Sequence, residues 1–348
     1  MCMEKITIRD IARLAGVSKS TVSLVINNSP RVDPATRRHV LAVIRRYNYV
    51  PSATASALAK GRSSFIGMIV PGLTWQMVAA LNYGVASVIE RTPYEIILYT
   101  STNDHDYGPV IDRMLASGLS AGVLVISQDQ AMKPLLDLHE QGVPVVLINT
   151  LGSHFDLPSV EADNYEGACG AVRHLLDLGH RRIASLAGPT TWPCCQDRQR
   201  GYEDALTEAG VPIDASLTLQ SGLEPPRARE LLRGLLGLPD RPTAVFAHND
   251  NTAYAAMEAA ADHGLRVPAD LSVVGFDDIP SSAHVKPALT TVSQPFEAMG
   301  ARAARMMLAA ISPESGEGSA PDEHGLASAR VRLPTTLIVR DSTGPAPA

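Results

Sequence analysis

Residues 7–26 read Thr7-Ile8-Arg9-Asp10-Ile11-Ala12-Arg13-Leu14-Ala15-Gly16-Val17-Ser18-Lys19-Ser20-Thr21-Val22-Ser23-Leu24-Val25-Ile26. Ile8, Ile11, Ala12 and Ala15 recur at spacings of three and four, an amphipathic helical stripe with Thr7 as its N-cap. Gly16 breaks that helix. Ser18 then caps a second one, in which Val22, Val25 and Ile26 form the apolar side while Lys19, Ser20, Thr21, Ser23 and Leu24 sit elsewhere on its surface. Helix, glycine turn, helix is the layout that presents a second helix to a DNA major groove. Asp33 as N-cap and Pro34 at the first helical position signal a third helix, running through Val40, Leu41 and Ile44 to about Tyr47. It closes a small three-helix core.

Charge follows the same division. Residues 1–62 hold eleven Lys or Arg against three Asp or Glu, a net of +8, and the remainder holds 19 against 33, a net of −14. A basic arm can approach phosphate while an acidic body stays soluble and is repelled from DNA. Charge alone would describe any solvated face; joined to the helix-turn-helix spacing it favours DNA.

Beyond Pro51, the stretch Ser52-Ala53-Thr54-Ala55-Ser56-Ala57-Leu58-Ala59 has an N-cap and helix formers but is too short to hold a helix alone. It is expected to fold when something packs against it. A plain linker running into Lys60-Gly61-Arg62-Ser63-Ser64 is the competing reading.

From Phe65 the texture changes. Candidate strands at 65–70, 95–100, 122–127, 145–149, 183–188, 244–248 and 272–276 alternate with helical patterns at about 75–91, 107–118, 131–141, 164–179, 197–210, 225–237 and 250–264. That rhythm implies parallel sheets with helices on both faces. About 280 residues exceed one such core, so two lobes are expected, with the ligand cleft beyond the carboxyl ends of the strands. A low-complexity stretch, 312–328, is expected to be a mobile surface loop before a last strand at about 335–340, and the tail 344–348 is expected to fray.

Asn149, Asn249 with Asp250, and Asp277 stand just past strand ends, Trp75 follows the Pro71-Gly72 turn, and Arg198 opens a helix. Amides, a carboxylate and a guanidinium beside an aromatic face suit sugar hydroxyls or a small polar ring. Helix capping competes at Asn249 and Asp277 and is favoured for Asp250; ordinary core packing competes at Trp75 and Trp192.

Enzyme chemistry finds no support: there is no Gly-rich phosphate loop, no nucleophile elbow, and the ten histidines lack metal-ligand spacing. No metal and no cofactor are expected. Cys194 and Cys195 adjoin while Cys2 and Cys169 lie far off, which is neither a zinc pattern nor a disulfide framework; incidental thiols are favoured over a redox switch at Cys194. With no signal peptide and no run of 18 apolar residues, the expected location is the cytoplasm, with no membrane partner.

Several segments resemble the LacI/GalR transcriptional repressors. In the arm these are Ile6 to Ala12, Ala15-Gly16-Val17-Ser18, Thr21-Val22-Ser23, Val32, Thr36-Arg37, Tyr49-Val50-Pro51 and Ala55-Ser56-Ala57-Leu58. In the body they are Asp163-Asn164, His174 to Leu176, Leu178 to Ile183, Arg198 to Tyr202, Asn249-Asp250, Val273 to Asp278 and Leu289 to Val292. The resemblance implies a helix-turn-helix domain followed by a periplasmic-binding-protein-like core of two doubly wound parallel-sheet α/β lobes. Its boundaries would be 1–50 for the DNA-binding domain, 51–62 for the hinge, 63–162 with 292–324 for the first lobe, and 163–291 with 325–341 for the second.

It further implies Lys19, Ser20 and Leu24 against base edges and Thr7, Ser18, Thr21, Ser23 and Asn27 against phosphates. Lys19 can donate to guanine, Ser20 can bond either kind of base, and Leu24 offers apolar contact, most readily to a thymine methyl. Leu58 would enter the minor groove as a wedge. Arg198, Asn249 and Asp277 become the best effector contacts, with Asn149, Gln294 and Trp75 next. The chain carries Leu223 where many members have an aromatic and Asn149 where many have aspartate, two departures that leave the individual effector unnamed; the class expected is a neutral, hydroxyl-rich small molecule, a mono- or oligosaccharide. The function implied is a homodimeric repressor of carbohydrate-utilisation genes on double-stranded, pseudo-palindromic operator DNA, its hinge order set by the effector. A corepressor-type regulator of another metabolite class and an architectural DNA binder without ligand control stand as alternatives. A solute-binding protein would predict a signal peptide and no basic arm.

Overall fold

A computed structural model describes residues 6–50, 63–70, 72–73, 75–100, 108–117, 120–126, 133–149, 157–311 and 330–347. The expected hinge 51–62, with Leu58, and the low-complexity stretch 312–328 lie outside the described residues. Two units divide the chain, Met1–Ser63 and Ser64–Ala348.

In the first unit, Thr7 caps α1 (Ile8–Leu14) in a capping box: its Oγ1 accepts from the Asp10 amide and its own N–H donates to the Asp10 carboxylate at 3.0 Å. Gly16 adopts φ +63°, a left-handed turn that would strain a side-chain-bearing residue. Ser18 caps α2 (Lys19–Ile26), accepting from the Thr21 amide at 3.0 Å, and Asp33 caps α3 (Pro34–Arg46) through the Ala35 and Thr36 amides. Ile11, Val22 and Val40, one from each helix, are fully buried and pack with Ala12, Ala15 and Val25. Helix starts and core therefore follow the caps and spacing read from the sequence.

The second unit opens with β1 (Phe65–Val70), α4 (Gln76–Ile89), β2 (Glu95–Thr100), α5 (Gly108–Ser117), β3 (Ser120–Ile126), α6 (Lys133–Glu140), β4 (Val145–Ile148) and β5 (Ser159–Ala162). It continues with α7 (Asn164–Asp177), β6 (Ile183–Ala187), α8 (Pro193–Glu208), β7 (Thr218–Gln220), α9 (Pro225–Leu236), β8 (Ala244–Ala247), α10 (Asp250–Asp262), β9 (Ser272–Asp277) and β10 (Thr290–Ser293). It ends with α11 (Phe296–Ile311), β11 (Arg330–Leu333) and β12 (Thr336–Ile338). The strands form two sheets, ordered β11-β5-β4-β3-β1-β2 and β12-β10-β9-β8-β6-β7. All neighbours run parallel except β10 and β12. Strands covered by helices on both faces bury every side chain, which is why Val145-Val146-Leu147-Ile148 is a continuous apolar run.

Each sheet is the middle layer of a lobe. On one face of the first, Met68, Leu124 and Ile148 pack with Leu81 and Val85 of α4 and Met299 and Met307 of α11; on the other, Val123 and Val125 meet Met114 of α5 and Leu135 of α6. Helices α4 and α11 touch backbone to backbone. A Cβ on Gly84 would lie 2.0 Å from Glu297 O, and one on Gly300 would lie 2.1 Å from Leu81 O.

Two boundaries differ from the sequence reading. Arg330 pairs with Ser159, so β11 completes the first sheet, although 325–341 reads as second-lobe sequence. Ser293 pairs with Asp277, so 292–293 belong to the second sheet rather than the first. The chain changes lobe after β5, after β10 and between β11 and β12, and the last crossing is marked only by Pro334 and Thr335. The tail is not frayed through Ala346: its amide donates to Leu178 O at 2.8 Å, and the Gly344 amide donates to Ser272 Oγ at 3.0 Å.

Candidate functional site

On α2, Lys19, Ser20, Ser23, Leu24 and Asn27 fall within an arc of roughly 140° at 100° per residue, opposite the buried Val22 and Val25. Lys19, Ser20 and Asn27 are exposed, while Thr21, Ser23 and Leu24 are half-buried. Leu24 also packs on the three-helix core, so only part of it is free for an outside contact. Thr7 and Ser18, both exposed, already serve as caps, and Ser18 Oγ lies 2.7 Å from Ser20 Oγ and 2.8 Å from Thr21 Oγ1. Asn27 Nδ2 donates to Ser23 O at 2.9 Å. The five polar residues at 18, 19, 20, 23 and 27 thus sit together at the exposed side and leading end of one helix.

In the second unit the strand order reverses at β1/β3 and at β6/β8, and ligands of open α/β sheets bind past the strand ends at such points. A cavity of about 290 Å³ lies between the lobes, and its walls include Trp75, Asn149, Arg198, Asn249, Asp277 and Gln294. All six sequence candidates share this one cavity. Trp75 precedes α4, Asn149 follows β4, Arg198 stands in the second turn of α8, Asn249 follows β8, Asp277 ends β9 and Gln294 follows β10.

Three non-glycine residues among the described cavity walls have left-handed backbone: Asn149 at φ +66°, Leu223 at +64° and Asp277 at +115°. Such conformations are uncommon outside glycine and store of order 1–3 kcal/mol each. Their gathering here indicates that side-chain aim is held against local preference.

Arg198 is 4% exposed and fully engaged. Its Nε donates to Asn164 Oδ1 at 2.9 Å, one terminal nitrogen donates to His248 O, and the other is 3.6 Å from Asp277 Oδ1, with the guanidinium 3.8 Å above the Phe276 ring. Gln294 Nε2 donates to Asp277 Oδ1 at 2.6 Å. Burial pushes the Asp277 carboxyl up to about 6 against the pull of Arg198. Burial, reinforced by Arg198, pushes His248 down to about 3, so the imidazole is neutral; the Gly188 amide donates to its Nδ1 at 3.2 Å, which leaves the proton on Nε2. Asn149 Oδ1 and Gln294 Oε1 are buried without a partner among the described residues. Each forgoes a hydrogen bond unless something in the cavity donates one.

Asp250 does not cap a helix. Asn249 caps α10, accepting from the Thr252 amide at 2.8 Å, while the fully buried Asp250 accepts from the Ile279 amide and from Ser282 and Thr291 hydroxyls at 2.5–2.9 Å. It fastens the connection that follows β9 to β10. Burial, with Asp277 nearby, raises its pKa to about 7.

The cavity walls also include Trp192, Cys194 and Leu223. The sequence offers core packing as a competing reading at Trp192 and favours an incidental thiol at Cys194, and neither is among its effector contacts; the available signal is their position a few residues past the end of β6, where ligand contacts concentrate. The Cys195 thiol, hydrogen-bonded to it, holds Cys194 below the ordinary thiol range at about 7. No described helix is long and apolar enough to cross a membrane.

Comparison with known proteins agrees with both units. Residues 7–52 match the bacterial regulatory proteins of the lacI family, and residues 172–343 match the periplasmic binding protein-like domain. Catabolite control protein A of Priestia megaterium is 34% identical over 97% of this chain and 99% of its own length. Among solved structures, a transcriptional regulator CelR-cellobiose complex is 33% identical with a TM-score of 0.68, covering 97% of this chain and 99% of that one. The lac repressor dimer bound to operator and the anti-inducer ONPF is 26% identical with a TM-score of 0.85, covering 98% of this chain and 100% of that one. Helix-turn-helix, two-lobed core and whole-length similarity lead to one conclusion: the chain is a DNA-binding, ligand-responsive transcriptional repressor and belongs to the LacI family.

Proposed function

We propose that this repressor takes a neutral sugar in the inter-lobe cavity and binds a pseudo-palindromic operator as a homodimer. One observation carries the ligand reading: among the described residues the cavity holds two orphaned acceptors, Asn149 Oδ1 and Gln294 Oε1, beside the Asp277 carboxylate, while the Arg198 guanidinium in its walls is occupied by protein partners. Among the described wall residues an anion would meet no free cation. A polyol offers hydroxyl donors to all three acceptors. The cellobiose held by the CelR relative supports the same class, and the operator-bound lac repressor dimer supports two copies on DNA.

On DNA, the exposed face of α2 would read the major groove with Lys19 and Ser20 and brace on phosphate with Thr7, Ser18, Thr21, Ser23 and Asn27. Leu24 would add apolar contact with its exposed part. Leu58 in the 51–62 segment would wedge the minor groove, its order set by the ligand state of the lobes. The test is melting of the full-length protein with a panel of sugars, nucleobases and amino acids, since a ligand of the folded state raises the transition by mass action. A sugar that raises it supports the reading; stabilisation confined to nucleobases or amino acids replaces it.

A further inference from the structure

Cys194 and Cys195 adjoin in the first turn of α8, behind Pro193, and both thiols are free. Their surroundings differ. Cys195 is 2% exposed and fills the space that a Cβ on Gly188 would take, just past the end of β6. Cys194 keeps 8% of its surface and forms wall of the inter-lobe cavity, together with Arg198 and with the buried Asn149 and Gln294 whose side-chain oxygens lack a partner. Arg198, four residues further on, lies on the same face of the helix. The unpaired amides of a first helical turn and a nearby guanidinium both favour thiolate over thiol. The Cys195 thiol donates to the Cys194 sulfur, and that bond, with Arg198 and against burial, holds Cys194 at about 7 while Cys195 is pushed up. At neutral pH a charged sulfur therefore lines the cavity and its neighbour keeps the proton. Cys169 on α7 is the contrast: it is fully buried, donates to Gly201 O at 3.4 Å, and burial raises it.

We infer that Cys194 is a peroxide-sensitive modification site inside the inter-lobe cavity, and that its oxidation acts on the repressor where the ligand acts. The inference rests on the cavity being the control site and not on the ligand being a sugar. The Cys194 thiolate attacks one oxygen of hydrogen peroxide: an S–O bond forms as the O–O bond breaks, and hydroxide leaves and takes a proton from solvent to become water. The sulfur gives up two electrons, the peroxide takes them, and the product is a sulfenic acid. Consecutive Cα atoms stand about 3.8 Å apart, below the roughly 4.4–6.8 Å usual for disulfide-linked pairs, so Cys195 is badly placed to close a disulfide while the first turn of α8 holds. A small thiol restores Cys194 by forming a mixed disulfide, with loss of water, and then exchanging it. The S–O–H group brings a donor into a cavity whose Asn149 and Gln294 oxygens lack one, and it takes up volume that a ligand needs. Oxidation shifts the lobes by the difference between its interactions in their two states.

The test treats full-length protein with hydrogen peroxide in the presence of dimedone, which traps sulfenic acids, and reads each cysteine by peptide mass spectrometry. Cys194 should take the adduct at least about tenfold faster than Cys169, at a rate that rises through pH 7. In Cys195→Ala, which removes the thiol donor, that rise should move to higher pH. Equal rates at Cys194 and Cys169, or a disulfide between Cys194 and Cys195 in place of the adduct, overturn the assignment. Without dimedone, peroxide should change affinity for duplexes the protein selects from a random pool by about fivefold or more. Dithiothreitol should reverse that change, and Cys194→Ser should not show it. Oxidised Cys194 with affinity within about twofold of the reduced protein rejects the control role. A protein whose operator affinity responds to a sugar but not to peroxide keeps the sugar reading and loses this one; a response to peroxide alone keeps the Cys194 site and removes the sugar.

Discussion

Asp277 is a carboxylate whose bond from Gln294 and pairing with Arg198 offset only part of its burial, which leaves its pKa near 6 against an ordinary 3.8. The folded protein therefore holds this proton more firmly than the unfolded chain does, and acidification from about pH 6 toward 3.8 adds stability through this group. Urea unfolding of wild type and Asp277→Asn at pH 7 and pH 4.5 should show the difference between them moving in favour of wild type at the lower pH. Sugar binding should respond the other way: hydroxyl donors need the carboxylate, so affinity falls as pH drops through 6 in wild type and stays nearly flat in the variant. On α2, Lys19→Ala should weaken operator binding by about 1–3 kcal/mol and relax specificity at one base position, whereas Ser18→Ala should also lower stability of the small domain by about 1 kcal/mol through its lost cap. Position past a strand end, together with family resemblance, was enough to read six cavity residues from sequence. It could not separate Asn249 from Asp250, because both cap helices well and the choice is made by Ile279, Ser282 and Thr291, which lie about 30 to 40 residues downstream. Trp192 escaped for a related reason: its partner, Trp75, lies in the other lobe.

At the scale of elements, helices α4 and α11 approach so closely that neither Gly84 nor Gly300 has room for a methyl group. Gly300→Ala should destabilise the second unit by about 1–3 kcal/mol or more, the usual range for overpacking, seen as a lower urea midpoint with an unchanged slope. A variant as stable as wild type would show that the two helices can part without loss. The buried parallel strands were legible because continuous apolar runs such as Phe65–Val70 admit little else. Strands β5 and β11 were not, since Ser159-Val160-Glu161-Ala162 and Arg330-Val331-Arg332-Leu333 carry charges that only their mutual pairing explains: Arg332 Nε donates to Glu161 Oε1 at 2.8 Å. That misplaced the last lobe crossing. The helix-turn-helix was legible down to its caps, because Thr7, Ser18 and Asp33 act on neighbours within three residues.

For the whole molecule, the split between a basic arm of net +8 and an acidic remainder of net −14 predicts DNA affinity that falls steeply with salt, one counterion-release step per phosphate contact. Leu58→Gly should strongly weaken operator binding while leaving the melting of the two-lobed core unchanged; near-normal binding would reduce residues 51–62 to a linker. Ligand control requires differential affinity of the sugar for the DNA-bound and free states, typically about 1–3 kcal/mol of coupling. The most direct measurement is the affinity of the full-length protein for duplexes it selects from a random pool, with and without a saturating sugar that raises its melting. Ligand control predicts pseudo-palindromic selected sites and an affinity that changes by about five- to 150-fold with the sugar. Affinity unchanged by a sugar that demonstrably binds would contradict it.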